Sequence, residues 1–187
     1  MHRRTWCTTS CRKGWSASSC ANSNSWGLLC AERAVGNEPF AVLLADDFLT
    51  FEGDGVTADL VRAFERSGKV ELSVMKVNGP DISKYGVVQP GEEPGSVAGL
   101  IEKPSAENAP SNRASIGRFV LPARIFDLLR DLPPGSGGEI QLADAINQLA
   151  TIGRVEAVEL RGKRFDFGSV ECYLDAIRHV AASHGEK

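Results

Sequence analysis

The chain has 187 residues, enough for one domain with a real core, and its 42% hydrophobic and 24% charged residues are ordinary for a globular protein. A formal net charge of −3 with no basic tract gives no case for nucleic-acid binding, and no apolar run nears the roughly 18 residues of a membrane span. The cysteines at 7, 11, 20, 30 and 172 contain no C-x-x-C pair, so neither a zinc knuckle nor a disulfide framework is expected.

Met1 to Ser25 carries Arg3, Arg4, Arg12 and Lys13 but no apolar stretch, so it does not read as a secretory signal, and a cytoplasmic chain with free thiols is expected. Residues 1–29 are rich in Ser, Cys, Trp and Arg without an apolar period of 2 or 3.6, and are predicted to be disordered. Composition shifts near Leu28, and a single domain is expected over residues 30–187. Phe40 to Leu44 is a continuous apolar run of strand length, predicted to be a buried parallel strand. It leads into Ala45-Asp46-Asp47. Acids just past the carboxyl end of such a strand lie where α/β sheets bind ligands, and a hard carboxylate there can hold Mg²⁺ against phosphates. A helix N-cap is the other common use of an Asp pair, and both readings stand for this pair.

Apolar residues at 56, 60, 61 and 64 predict a helix over Val56–Ser67, closed by Gly68. Val70 to Val77 alternates as a strand. Tyr85-Gly86-Val87-Val88 opens another strand after a polar loop, and Gly91 to Gly95 is the turn of a hairpin. The returning strand, Val97 to Ile101, stops at Glu102-Lys103-Pro104, where Pro104 biases Lys103 towards an extended conformation. An acid beside an ammonium at a strand end suits a ligand with hydroxyls and a phosphate, and a surface ion pair at a turn is the plain alternative. Ala114 to Leu121 is the next strand, interrupted by Gly117, where backbone or ligand can approach closely. Helices follow at Ala123–Arg130 and Glu139–Leu149, separated by a Pro/Gly loop. Val155 to Leu160 is a strand, and Glu171 to Ser183 a terminal helix with Tyr173, Leu174, Ile177 and Val180 on its inward face.

Four motifs in this order carry a family resemblance: E-K-P, A-P-S-N-x-A-x-x-G-R-F-V-L, P-G-x-G-G-E-I-Q-L-x-D-A-I and R-F-D-F-G-S. Together they resemble the bacterial UTP–glucose-1-phosphate uridylyltransferases from about Cys30 to about Ala182, and several spaced motifs are far more specific than one. The resemblance implies a three-layer α/β/α, Rossmann-like nucleotidyltransferase fold with a mixed central sheet. It implies Mg²⁺-dependent uridylyl transfer from UTP to glucose 1-phosphate, with pyrophosphate leaving, and a homo-oligomer in the complete family. Residue by residue it implies Asp46 and Asp166 as metal ligands, with Asp47 a neighbour fit for an N-cap. It places Lys103 on the sugar phosphate and Glu102 and the Gly86 backbone on glucose hydroxyls. Asn112 and Gly117 are further candidates for substrate contact, with structural roles equally open, and Glu139 and Asp144 for the sugar site or a subunit contact, with a solvated face for Asp144. Ala45 departs from the family's L-P-D-D.

The resembling family has a G-x-G-T-R-x-x-P loop, a following Lys and a G-L-G-H-A segment ahead of these motifs, and none stands in residues 1–29. A truncated or frame-shifted product lacking the nucleotide half of the site is therefore expected. Two functional readings result, the uridylyltransferase itself and a non-catalytic fragment that retains sugar-phosphate binding. A related thymidylyl- or cytidylyltransferase is a third.

Overall fold

The computed structural model describes residues 24–51, 53–133 and 140–184. Its organising element is the strand β6 (Arg113–Leu121), whose alternating sequence turns Ile116 and Val120 to one side of the sheet and Phe119 and Leu121 to the other. One edge of β6 pairs antiparallel with β3 (Val70–Lys76) along its length. The other edge is shared by two strands set end to end. Val87 of β4 (Gly86–Pro90) lies opposite Ala114, and β1 (Phe40–Leu43) lies opposite Arg118–Leu121. Between them, residues 115–117 form a fork at which the carboxyl end of β1 faces the start of β4. Outside β4 lies β5 (Val97–Glu102), its hairpin partner, and β7 (Val155–Glu159) runs parallel to β3 on the far side. The sheet is thus mixed, with one parallel pair among the described residues.

Helices cover both faces. α2 (Val56–Ser67) buries Val56 and Leu60 against Ile116 and Val120, and Gly68, at φ 61°, ends it by donating its N–H to the Phe64 carbonyl at 2.7 Å. The opposite face carries α1 (Asn24–Val35), α3 (Ile125–Asp131) and α4 (Leu142–Ala150), which bury Leu28, Ile125, Phe126, Leu129, Ile146 and Leu149 with Val70, Leu72 and Leu121. This is the expected three-layer arrangement. Asn147 of α4 reaches β5 with both amide atoms, accepting from the Leu100 N–H at 2.6 Å and donating to its carbonyl at 2.9 Å. That covers an edge strand that would otherwise present unpaired backbone, and it fixes the strand that ends at Glu102. A second sheet has two strands, β2 (Asp47–Phe51) and β8 (Gly162–Asp166), with Asp47 opposite Asp166, and α5 (Val170–His184) packs on β8.

Several expectations change. Phe40–Leu44 is not a buried parallel strand: β1 is antiparallel, pairs only with β6 among the described residues, and leaves Leu43 56% exposed while Phe40 stacks on Phe126. One face of β1 is left uncovered, so Ala41 and Leu43 stay exposed however apolar the run is. Asp47 caps no helix; it opens β2 and is buried. Lys103 is left-handed, at φ 46°, instead of extended. A following proline disfavours the right-handed helical region, and the chain turns the other way while the Lys103 N–H closes the hairpin on the Tyr85 carbonyl at 3.0 Å. Leu174 and Ile177 of α5 are about half exposed, because a two-stranded ribbon is too narrow to cover them; Ala176 and His179 face inward instead, and Tyr173 meets the Phe167 ring edge-on at 5.0 Å. Neither β2 nor β8 is evident as a strand in the sequence, and α1 begins at Asn24, inside the segment expected to be disordered. The Pro/Gly loop from Pro134 onward and Glu139 lie outside the described residues. Among the described residues no helix is long and apolar enough to cross a membrane, and Cys30 and Cys172 form no disulfide.

Candidate active site

The fork in β6 opens into a cavity of about 490 Å³. Its floor is Ser115, Ile116 and Gly117, one wall is the start of β4 with the end of β5, and the other is the β1–β2 turn with the end of β8. Ser25 of α1 and residues 140–143 close the remaining side. A gap between two strands end to end on one edge gives backbone-lined access to the sheet interior, which no single strand end provides.

On the first wall, Gly86 and Glu102 are directly opposed in the β4–β5 pair. A Cβ on Gly86 would stand 2.9 Å from Glu102 Oε2, so the missing side chain leaves the carboxylate its place against the strand. Lys103 follows in the left-handed conformation, which costs roughly 1–2 kcal/mol for a residue with a Cβ. Glu102 and Lys103 are both exposed, and neither makes an ion pair with any described residue, so the surface-pair alternative does not hold. A carboxylate and an ammonium, both uncommitted and held on a strained turn at a cavity rim, are fitted to a ligand with hydroxyls and an anionic group.

On the second wall, Asp46 is exposed and its carboxylate has no hydrogen-bond partner among the described residues, while its carbonyl accepts the Phe167 N–H at 2.8 Å. Asp166 is half-buried, with Oδ1 accepting the Gly168 N–H at 2.8 Å and Oδ2 3.3 Å from Arg164. These two acids line one cavity, Asp46 in the turn just before β2 and Asp166 at the end of β8. Among the described residues no group of three metal-ligating side chains exists. Two carboxylates with the remaining positions open is the donor set that a small hard cation takes when substrate phosphates complete its shell, so the residues fit a divalent cation.

Behind the acids lies a buried network. Asp47 and Arg164 pair with only 4% and 11% of their side chains exposed, Arg164 Nε donating to Asp47 Oδ1 at 2.5 Å. Asp47 Oδ2 accepts the Gly117 N–H at 2.6 Å, which ties the β1–β2 turn to the cavity floor. Arg164 also reaches the Tyr85 hydroxyl at 3.2 Å and lies over its ring at 5.1 Å. Arg118 holds the same turn from outside, donating to the carbonyls of Leu44 and Asp47 at 3.3 and 3.0 Å.

The cavity therefore gathers Asp46, Gly86, Glu102, Lys103, Gly117 and Asp166, six of the seven site residues expected from sequence. Asn112 is not among them: it is exposed, bonds Asn78 at 3.2 Å and lines a different cavity. Asp144 is exposed on α4, as expected. Sequence reading missed Asp47 and Arg164 as a pair. Arg164 and Asp166 sit two apart, on one face of a strand, and that spacing was the available signal.

Residues 21–183 match the model of the nucleotidyl transferase family. The chain belongs to the nucleotidyl transferase family. A UTP–glucose-1-phosphate uridylyltransferase of Pseudomonas aeruginosa is 42% identical over 154 residues, which are 80% of this chain and 55% of that protein. Among solved structures, an apo UDP-glucose pyrophosphorylase superposes with a TM-score of 0.80 at 35% identity, covering 86% of this chain and 60% of its own. Another, complexed with UDP-glucose, gives a TM-score of 0.77 at 36% identity, covering 86% and 62%. This nucleotidyl transferase chain spans about half the length of the curated relatives it matches.

Proposed function

We propose that this nucleotidyl transferase chain carries the sugar-phosphate side and the cation-holding acids of a UTP–glucose-1-phosphate uridylyltransferase. The observation that carries the reading is the juxtaposition of Gly86, Glu102 and Lys103 with Asp46 and Asp166 around one cavity. Relatives named for this reaction, and a neighbour with UDP-glucose bound, support it. Glu102 accepts hydrogen bonds from glucose hydroxyls, and the absence of a Cβ at Gly86 lets the sugar lie against backbone. Lys103 pairs with the phosphate and turns one of its oxygens towards the α-phosphorus of UTP. That oxygen forms the new P–O bond as the bond to pyrophosphate breaks, and no covalent enzyme intermediate is needed. Such a reaction depends on positioning and charge neutralisation more than on protein nucleophiles. A divalent cation on Asp46 and Asp166, with Mg²⁺ the finer assignment, would draw charge from the phosphate oxygens.

Titration calorimetry with glucose 1-phosphate tests this directly. The chain should bind it, and Lys103→Ala should weaken binding at least tenfold while glucose itself binds both proteins alike. Formation of UDP-glucose from UTP, glucose 1-phosphate and Mg²⁺, lost in Asp46→Asn and Asp166→Asn, would establish the whole reaction. Binding without turnover would support the non-catalytic reading, with the acceptor side alone retained. No glucose 1-phosphate binding by the unaltered chain would sink both.

A further inference from the structure

We propose that the buried Asp47–Arg164 pair is a positioning device that holds Asp46 and Asp166 in place for a divalent cation. This rests on the cation reading given above for those two acids. Neither Asp47 nor Arg164 is well placed to serve as a ligand, since the Asp47 side chain is only 4% exposed, against 48% for Asp166, and Arg164 is a cation. What they do is link the elements that present the ligands. Asp47 is the chain neighbour of Asp46, and its carboxylate is fixed at one oxygen by the Gly117 N–H and at the other by Arg164. Arg164 in turn reaches Asp166 Oδ2 at 3.3 Å and Tyr85 at 3.2 Å. One guanidinium thereby joins β2, β8 and the residue preceding Gly86, through nitrogens that point in three directions.

That geometry needs a planar fork. A lysine at 164 would bring the same charge as a single point and could not hold Asp47, Asp166 and Tyr85 together. A purely stabilising role explains the arrangement poorly, because a buried ion pair is often no more stable than an apolar pair of the same size. Orientation of an otherwise mobile carboxylate is what this pair supplies and an apolar pair would not. Asp166 Oδ1 is already turned by the Gly168 N–H, so Arg164 fixes the second oxygen and leaves one rotamer.

The test is Mn²⁺ binding by the full chain, read from the electron paramagnetic resonance of free Mn²⁺, with folded fraction measured in parallel by thermal melting. Arg164→Lys keeps the charge, and among folded molecules its Mn²⁺ dissociation constant should rise about tenfold or more. Asp47→Asn is the second arm. It releases Arg164 from its buried partner and leaves that charge to Asp166, so Mn²⁺ binding should weaken by a similar factor. Asp46→Asn is the control for the cation site itself. If Asp46→Asn abolishes binding while Arg164→Lys and Asp47→Asn bind as tightly as the parent or tighter, the positioning role is wrong and the cation site stands. If the parent shows no Mn²⁺ binding that depends on Asp46, the cation site is wrong and this inference goes with it.

Discussion

Gly117 is the position where substitution should be most informative. A Cβ placed there would lie 2.6 Å from Asp47 Oδ2, 2.6 Å from Leu44 Cβ and 2.9 Å from Leu44 Cγ. Ordinary contacts begin near 3.4 Å, so the overlap approaches 1 Å at two atoms. Neither can yield cheaply: the Leu44 Cβ is fixed to a backbone whose N–H donates to the Gly117 carbonyl at 3.0 Å, and the Asp47 carboxylate is held by Arg164. Gly117 does not have a positive φ, so the penalty for alanine is steric and not torsional. Overpacking of this kind costs about 1–3 kcal/mol. Displacing the turn also strains or breaks the Gly117 N–H bond to a carboxylate, which is worth about 1.5–3 kcal/mol. Gly117→Ala should therefore lose about 3 kcal/mol or more, a large part of a typical domain's stability. In a melt this is a fall of about 6–12 °C, at 2–4 °C per kcal/mol for a domain of this size. Urea unfolding should show the same loss as a lower midpoint with an unchanged slope. Gly153 serves as the comparison: it has φ 67° and a Cβ added there would meet no atom within 4 Å, so alanine should cost only the torsional penalty of roughly 1–2 kcal/mol. A Gly117→Ala protein as stable as its parent would refute the reading of the cavity floor.

Glu71 is fully buried, and burial, opposed by the Ser67 hydroxyl that donates to it at 2.6 Å, pushes its pKa up from 4.5 to about 7. The folded chain therefore holds this proton more tightly than the unfolded one, and stability should fall as pH rises from about 4.5 to about 7, then level off. Glu71→Gln should flatten that slope and be more stable at pH 8, by an amount on the order of 3 kcal/mol; an unchanged pH profile in urea unfolding would remove Glu71 as the cause. On α5, Leu174 is 43% and Ile177 48% exposed, so the double change to serine should lower binding of a hydrophobic dye and cost no more than about 1.5–3 kcal/mol, roughly half the full burial value of two such side chains. A larger stability loss would show that this face is packed after all.

The local alphabet of the chain was legible without a structure. Periodicity set α2 and α4 to within a few residues, the alternation of Val70–Lys76 set β3, and the hairpin around Gly91–Gly95 followed from turn residues. The family resemblance of the motifs, more than their local chemistry, singled out Asp46, Gly86, Glu102, Lys103 and Asp166, and all five line one cavity. What stayed hidden depends on partners distant in sequence. An apolar run such as Phe40–Leu43 is equally compatible with a central and an edge strand, and only the sharing of β6 by β1 and β4 made it an edge and opened the fork. Asp47 reads as a cap until Arg164, 117 positions away, arrives beside it across β2 and β8. Asn112 has a motif's neighbourhood but emerges at the wrong end of β6, on the far side of Ala114 from the cavity. The amphipathic face of α5 announced a buried surface, yet burial needs a second surface wide enough to receive it, and the two-stranded ribbon is not. Chemistry and local conformation are properties of neighbouring residues and can be read along the chain; burial, ion-pair partners and the location of a cavity are set by which strands meet, which only the tertiary structure decides.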